Sequence, residues 1–205
     1  MEADNRFAII VSYRDRAQHL RKFIPYMQAR FKNADIFIVE QEPGKPFNRG
    51  KLLNIGVLEA PGYDYYALHD VDMLPVQSDY SKPLLPMLLA TKAQQFGYKM
   101  PFPEYFGGVV LITAEHMKQC NGYHNEFWGW GGEDCSFRER IIATVGAVDS
   151  RQCIYNSLTH HRKIDQQLYP RNLKLLKRGP QLENGLTNCE YKVLSRKENH
   201  LICSI

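Results

Sequence analysis

Apolar residues fall along this chain in short runs separated by polar, glycine- and proline-bearing stretches. Phe7-Ala8-Ile9-Ile10-Val11 is an uninterrupted apolar run, as a strand buried on both faces produces. Leu20, Phe23, Ile24, Met27 and Phe31 then share one face at helical spacing. Pro25 inside that pattern is predicted to kink or divide the helix. Ile36-Phe37-Ile38-Val39 reads as a second buried strand. The stretch from Gln41 to Gly50 carries Pro43, Gly44 and Pro46 and leads into a helix over Lys51 to Ala60, whose apolar residues are Leu52, Leu53, Ile55 and Val57. Pro61-Gly62 stops it. Tyr65-Tyr66-Ala67-Leu68 is a third strand, ending at His69-Asp70-Val71-Asp72. This alternation predicts βαβ units, hence an α/β fold with a mainly parallel central sheet flanked by helices. Such sheets bind ligands beyond the carboxyl ends of their strands. That rule gathers Arg14, Arg16, the 41–50 loop and Asp70 to Asp72 on one rim.

Beyond residue 75 the pattern loosens. Gly108 to Ile112 reads as a strand, Ala114 to Cys120 as a helix capped by Thr113 and stopped by Gly122, and Glu133 to Ala143 as another helix. The last forty residues or so are polar and mixed, and predict only short elements. A length of 205 residues fits one domain. The 44% hydrophobic and 23% charged content excludes a disordered chain. A net charge of +4, scattered along the sequence, gives no basic stripe for nucleic acid. The start, Met1-Glu2-Ala3-Asp4-Asn5, has neither a basic region nor an apolar one, and no run of 18 apolar residues exists. A soluble, cytoplasmic protein is therefore expected, or a Golgi-lumen one if the sequence is a trimmed domain. The five cysteines, at 120, 135, 153, 189 and 203, are odd in number and form no CxxC, so no disulfide framework is implied.

Four clusters carry candidate chemistry. Asp70 and Asp72, at i and i+2, lie on one side of an extended chain, where two like charges call for a hard cation such as Mn²⁺ or Mg²⁺. A solvated turn with capping aspartates gives the same pattern. Phe127 to Asp134 concentrates both tryptophans and three glycines just before Glu133-Asp134. Trp130 beside Gly131-Gly132 suits a sugar face, and a neighbouring carboxylate suits a general base, although acids at a helix start also complement its dipole. His160-His161 offers imidazole for a metal, or simply two surface histidines. Phe47-Asn48-Arg49-Gly50-Lys51 places cations and amides at a loop-to-helix junction, where phosphates bind.

In order along the chain these segments resemble the β-1,4-galactosyltransferase family, glycosyltransferase family 7. Tyr13-Arg14-Asp15-Arg16 with Gln18-His19-Leu20 is similar to the family's Phe-Arg-x-Arg-x-x-His-Leu, and Phe47 to Asn54 to its FNRxKLLN segment. Asp70-Val71-Asp72 matches its DVD motif, Tyr105 to Val109 its YFGGV, and Trp128 to Asp134 its WGWGGED. Gly185 to Thr187 through Tyr191 to Leu194 is similar to its closing segment.

The resemblance implies a single GT-A domain, Rossmann-like, with a nucleotide-binding half over 1–75 and an acceptor-binding half over 76–205 that holds a mobile loop near 127–134. It implies an inverting enzyme that moves galactose from UDP-galactose to a glycan acceptor in a β-1,4 linkage, with Mn²⁺, or Mg²⁺, as cofactor. UDP-N-acetylgalactosamine transfer, or carbohydrate or nucleotide binding without catalysis, is the alternative. Asp134 matches the general base, with Glu133 beside it as a donor- or acceptor-binding carboxylate. Tyr13, Arg14, Arg16, Phe47, Asn48, Arg49, Asp70, Val71, Tyr105, Gly108 and Trp130 match donor-binding positions. Phe102, Trp130, Gly131, Gly132, Glu133 and Asp134 fall on the acceptor side. Asp72 matches the metal-binding aspartate and His161, or His160, the metal histidine. A bulky Tyr105 is the mark of galactose-selective members. Cys135 and Ser136 stand where the family's acidic run often continues, which leaves the acceptor open among N-acetylglucosamine, xylose, glucose and other sugars. Leu158 or Thr159 stands where a further metal ligand is usual.

Overall fold

The computed structural model describes residues 6–159 and 165–205. Its centre is strand β1 (Phe7–Tyr13), which lies parallel between β2 (Ala34–Gln41) and β3 (Tyr65–Asp70). The register Tyr13↔Glu40 and Ser12↔Asp70 brings the carboxyl ends of all three to one edge. Ala8 to Val11 are fully buried, as their unbroken apolar run requires.

Helix α1 (Ala17–Arg30) joins β1 to β2 and buries Phe23 and Met27. It runs undivided through Pro25, against the expectation of a break. The proline forfeits one hydrogen bond to Arg21, an exposed residue whose carbonyl water can serve, while the buried residues on either side hold the helix in place. Helix α2 (Arg49–Glu59) lies close against the sheet: a Cβ on Gly56 would stand 2.1 Å from Ile10 Cγ2. Asn48 caps α2, its side chain accepting from the Lys51 amide at 3.0 Å.

After β3 the chain turns at Val71-Asp72 into β4 (Met73–Gln77). Strands β5 (Met87–Leu88), β6 (Lys92–Ala93) and β7 (Val109–Thr113) follow, and β7 runs antiparallel to β3. Thr113 caps α3 (Ala114–Gln119) as expected, accepting from the His116 amide. Helix α4 (Glu133–Val145) starts at the predicted residue. Beyond it come β8 (Asp149–Ser150), β9 (Ile154–Ser157), α5 (Leu168–Leu176), β10 (Lys192–Lys197) and β11 (His200–Ser204). The main sheet has the order β10-β11-β2-β1-β3-β7-β5-β8, and a small second sheet the order β4-β9-β6. Four of the seven pairings in the main sheet are parallel, so it is mixed, with its parallel part at the centre. No helix among the described residues is long and apolar enough to cross a membrane.

Candidate active site

The carboxyl ends of the central strands, the start of α2 and the start of α4 converge on one ionic cluster. Arg49, the first residue of α2, is buried and spans two carboxylates. Its Nε donates to Asp70 Oδ1 at 2.5 Å and one Nη to Asp134 Oδ1 at 2.7 Å. The same Nη lies 3.5 Å from the Tyr123 hydroxyl, whose ring stacks on Phe137 at 3.9 Å. The other Nη is buried without a hydrogen-bond partner among the described residues. Sequence reasoning places Arg49 toward a diphosphate. In the structure two of its three nitrogens are instead committed to carboxylates.

Asp134 and Glu133 open α4. Burial raises the Asp134 carboxyl well above the ordinary aspartate range; Arg49 opposes the shift, and Glu133 and Asp70 add to it. Burial raises Glu133 as well, again against Arg49. For Arg49 burial acts downward, but Asp134 and Asp70 outweigh it and hold its cation above its usual value. A carboxylate more basic than usual, fixed by a permanent cation, can take a proton from a hydroxyl.

Room for Asp134 comes from Gly107. A Cβ there would lie 2.1 Å from Asp134 Oδ2 and 2.6 Å from its Cγ. This gives the Gly107-Gly108 pair a physical reason that sequence alone did not supply. Gly108, at φ +73°, lies beside the Tyr105 hydroxyl, which is 3.0 Å from where its Cβ would be. Tyr105 is half-buried, with the rings of Phe96 and Phe102 edge-on at 5.6 Å each, so Tyr105 and the exposed Phe102 form one aromatic wall.

Trp130 is 40% exposed, and its ring lies 5.3 Å from that of Tyr169 on α5. Gly131, at φ +100°, passes so close under Tyr169 that a Cβ would reach within 2.8 Å of its ring. Asn172 of α5 donates to the Trp128 carbonyl at 2.9 Å. Tyr169 and Asn172 sit in a stretch whose polar sequence gave no signal of this role.

Next to this loop, where the Phe47 carbonyl accepts from the Gly129 amide at 2.7 Å, the Arg14 guanidinium stands over the Phe47 ring at 5.4 Å and donates to the Lys45 carbonyl. Tyr13 is buried at the end of β1, and Arg16 precedes the first residue of α1. Asn48 is fully buried: besides capping α2 it donates to the Asn125 carbonyl at 2.6 Å. Val71 is buried in the turn between the two aspartates. The Cys135 thiol is pushed up to about 11 by burial and by Asp134 and Glu133, which keeps it neutral.

Asp72 is 7% exposed, and its carbonyl accepts from the Leu158 amide at 2.8 Å. Its carboxylate and that of Asp70 are the hard oxygen donors that Mn²⁺ or Mg²⁺ takes. The described residues contain no group of three acidic, histidine or cysteine side chains placed to hold a metal. His160 and His161 lie outside the described residues, which the chain leaves at Thr159, just beyond Leu158.

Residues 1–81 match the model of the N-terminal region of glycosyl transferase group 7, and residues 88–163 that of a galactosyltransferase domain. The catalytic domain of Drosophila β1,4-galactosyltransferase 7, solved with xylobiose, superposes with a TM-score of 0.82 at 31% identity, over 98% of this chain and 92% of that one. This chain belongs to the β-1,4-galactosyltransferase family. Its fold is GT-A. A mutant of the Drosophila protein, solved with manganese, UDP-Gal and xylobiose, superposes at 0.76 with 28% identity, over 98% of this chain and 92% of that one. Among curated family members, bovine β-1,4-galactosyltransferase 3 is 35% identical and human β-1,4-galactosyltransferase 4 is 32% identical, each over the whole of this chain. The chain spans 55% and 63% of the length of these two relatives.

Proposed function

We propose that this protein transfers galactose from UDP-galactose to a hydroxyl of a glycan acceptor, forming a β-1,4 linkage with inversion. The observation that carries the reading is the Arg49 bridge. One guanidinium ties Asp134, the candidate base, to Asp70 of the DVD turn, so base and donor site share one rigid support.

In this reaction the Asp134 carboxylate takes the acceptor hydroxyl proton. The oxygen lone pair attacks the anomeric carbon of galactose, and the bond from that carbon to the diphosphate oxygen breaks. Its electron pair leaves with UDP. Burial strengthens Asp134 as a proton acceptor, and Arg49, which opposes that upward shift, aims it. Trp130, exposed on its glycine-bearing loop, covers the sugar and excludes the water that would hydrolyse the donor. Asp72 is the aspartate that fits Mn²⁺, with His161 or His160 as the companion ligand; the ion supplies charge neutralisation to the diphosphate when bound. Arg14 and Phe47 suit the uridine. The bulky Tyr105, which matches the galactose-selective members of the family, favours UDP-galactose over UDP-N-acetylgalactosamine. The xylobiose in the Drosophila structures supports a xyloside as the first acceptor to try.

The test is UDP release and glycan product formation with UDP-galactose, Mn²⁺ and a panel of xyloside, glucoside and N-acetylglucosaminide acceptors. Galactosylated product that disappears in EDTA and returns with Mn²⁺ supports the reading. Full activity in EDTA, or faster turnover of UDP-N-acetylgalactosamine, refutes its metal or its donor part.

A further inference from the structure

Behind the DVD turn lies a buried chain of polar groups that the reaction itself does not use. His69, the last residue but one of β3, is fully buried. Its Nδ1 is 2.8 Å from the backbone carbonyl oxygen of Asp70, and its Nε2 is 2.9 Å from the Tyr80 hydroxyl. The Tyr155 hydroxyl of β9 lies 3.0 Å from that of Tyr80. Phe23, Tyr80 and Tyr155 enclose the imidazole. The Tyr65 hydroxyl fixes Tyr80 in turn, donating to its backbone carbonyl at 2.9 Å.

The direction of this chain follows from elementary bonding. A carbonyl oxygen can only accept, so Nδ1 carries the hydrogen. In a neutral ring Nε2 then offers only a lone pair, and the Tyr80 hydroxyl must donate to it. The Tyr80 oxygen is thereby free to accept from Tyr155. Each donor has one acceptor and the order cannot be reversed.

The carbonyl held by His69 belongs to the Asp70–Val71 peptide, the first of the two peptide units that separate the two aspartates. The peptide planes around it are fixed too: the Asp70 amide donates to the Gly108 carbonyl at 2.9 Å, and the Asp72 carbonyl accepts from Leu158. Without His69 the Asp70–Val71 plane would lose this side-chain tether, and rotating it swings Asp72 relative to Asp70. We propose that His69, in the Nδ1–H tautomer that the Asp70 carbonyl requires and anchored at Nε2 by Tyr80, is a positioning residue that sets the geometry of the Asp70/Asp72 pair toward a divalent cation. This inference rests on the metal-dependent reading above. Its signature is an asymmetry between two neighbouring hydroxyls. Tyr80 holds the ring directly through Nε2, whereas Tyr155 only satisfies Tyr80.

Two measurements test it. The first is the ¹⁵N–¹H correlation spectrum of the His69 ring in metal-free wild-type protein, which needs no variant. It is expected to show hydrogen on Nδ1 and none on Nε2; hydrogen on Nε2 overturns the proposal. The second is Mn²⁺ affinity, read by electron paramagnetic resonance of the free ion, for Tyr80→Phe and Tyr155→Phe, each checked for an intact fold by circular dichroism. Removing a partner that orients a metal ligand costs about tenfold or more in affinity. Tyr80→Phe removes the anchor at Nε2 and is expected to lose that much, while Tyr155→Phe keeps wild-type affinity. Equal losses in both variants, or none in Tyr80→Phe, overturn the positioning role alone. A wild-type protein that binds no Mn²⁺ and transfers no galactose overturns the functional reading, and the positioning role falls with it.

Discussion

Gly107→Ala is a one-methyl perturbation aimed at the centre of the site. The new Cβ would stand 2.1 Å from Asp134 Oδ2, where real contacts keep at least 3.0 Å, so the carboxylate must retreat by about 1 Å. Backbone strain does not enter, because Gly107 is not among the residues of positive φ. Retreat stretches the 2.7 Å bond to Arg49, a charge-assisted contact of the kind worth about 1.5–3 kcal/mol. It also moves the base off the line of the acceptor hydroxyl, and a misplacement of about 1 Å costs on the order of 10²-fold in rate. That fall corresponds to about 2.7 kcal/mol of barrier. Steady-state galactose transfer should therefore show kcat down about 10²-fold, with the KM for UDP-galactose little changed, since nothing on the uridine side moves. A variant with kcat within about threefold of wild type, its Asp134–Arg49 pairing intact in a crystal structure, would refute the steric reasoning.

Arg49→Lys keeps the charge but replaces a fork with a single ammonium, which cannot grip Asp70 and Asp134 in the same geometry. Loss of one such contact predicts a fall in kcat of about tenfold or more, and wild-type kcat would show that the bridge is dispensable. The pH profile of kcat should have an acid limb of unit slope. The limb reports protonation of the Asp134 base as pH falls, and its midpoint should lie above the ordinary aspartate value of about 3.9 because burial raises that carboxyl; a midpoint at or below it contradicts the shift. Arg140 is fully buried and donates to the carbonyls of Asn121, Gly122, Gln181 and Asn184, pinning the chain near residues 181–185 against α4. Arg140→Met leaves these acceptors unmatched and should lower unfolding free energy in urea by at least about 3 kcal/mol, and a loss under about 1 kcal/mol would contradict the role.

Much of the fold was legible in the sequence where burial imposes one period. The unbroken apolar runs of β1 and β2 allow one reading, α3 lies where its cap and stop placed it, α4 starts at the expected Glu133, and α2 ends before its Pro61-Gly62 stop although it begins two residues earlier than expected, at Arg49. The far edge was not legible. In β11 the inward residues are Leu201 and Cys203, with His200, Ile202 and Ser204 between, and β10 is mostly exposed, so neither carries a strong alternation. Their place comes from the partner strand β2, a long-range contact that local pattern cannot encode. Helix α5 was missed although Leu168, Leu175 and Leu176 fall at helical spacing in it: Pro170 and the charged residues between them mask the pattern, and its packing on the glycine loop through Leu168, Tyr169 and Asn172 is a long-range contact. At the site, the family motifs named Asp70, Asp72, Trp130 and Asp134. Motifs could not show that Arg49 grips two carboxylates, that Gly107 is a space for Asp134, or that His69 is enclosed behind the DVD turn.

The most direct test of Asp134 as the base is Asp134→Asn, which preserves shape and hydrogen-bonding reach while removing proton affinity. UDP-galactose binding measured calorimetrically with Mn²⁺ present should stay near wild type, while single-turnover transfer to the acceptor falls by about 10³-fold, within the range of about 10²–10⁴-fold that positioned acid–base groups contribute. Transfer within tenfold of wild type, or loss of donor binding in step with transfer, would contradict the assignment of Asp134 as the base.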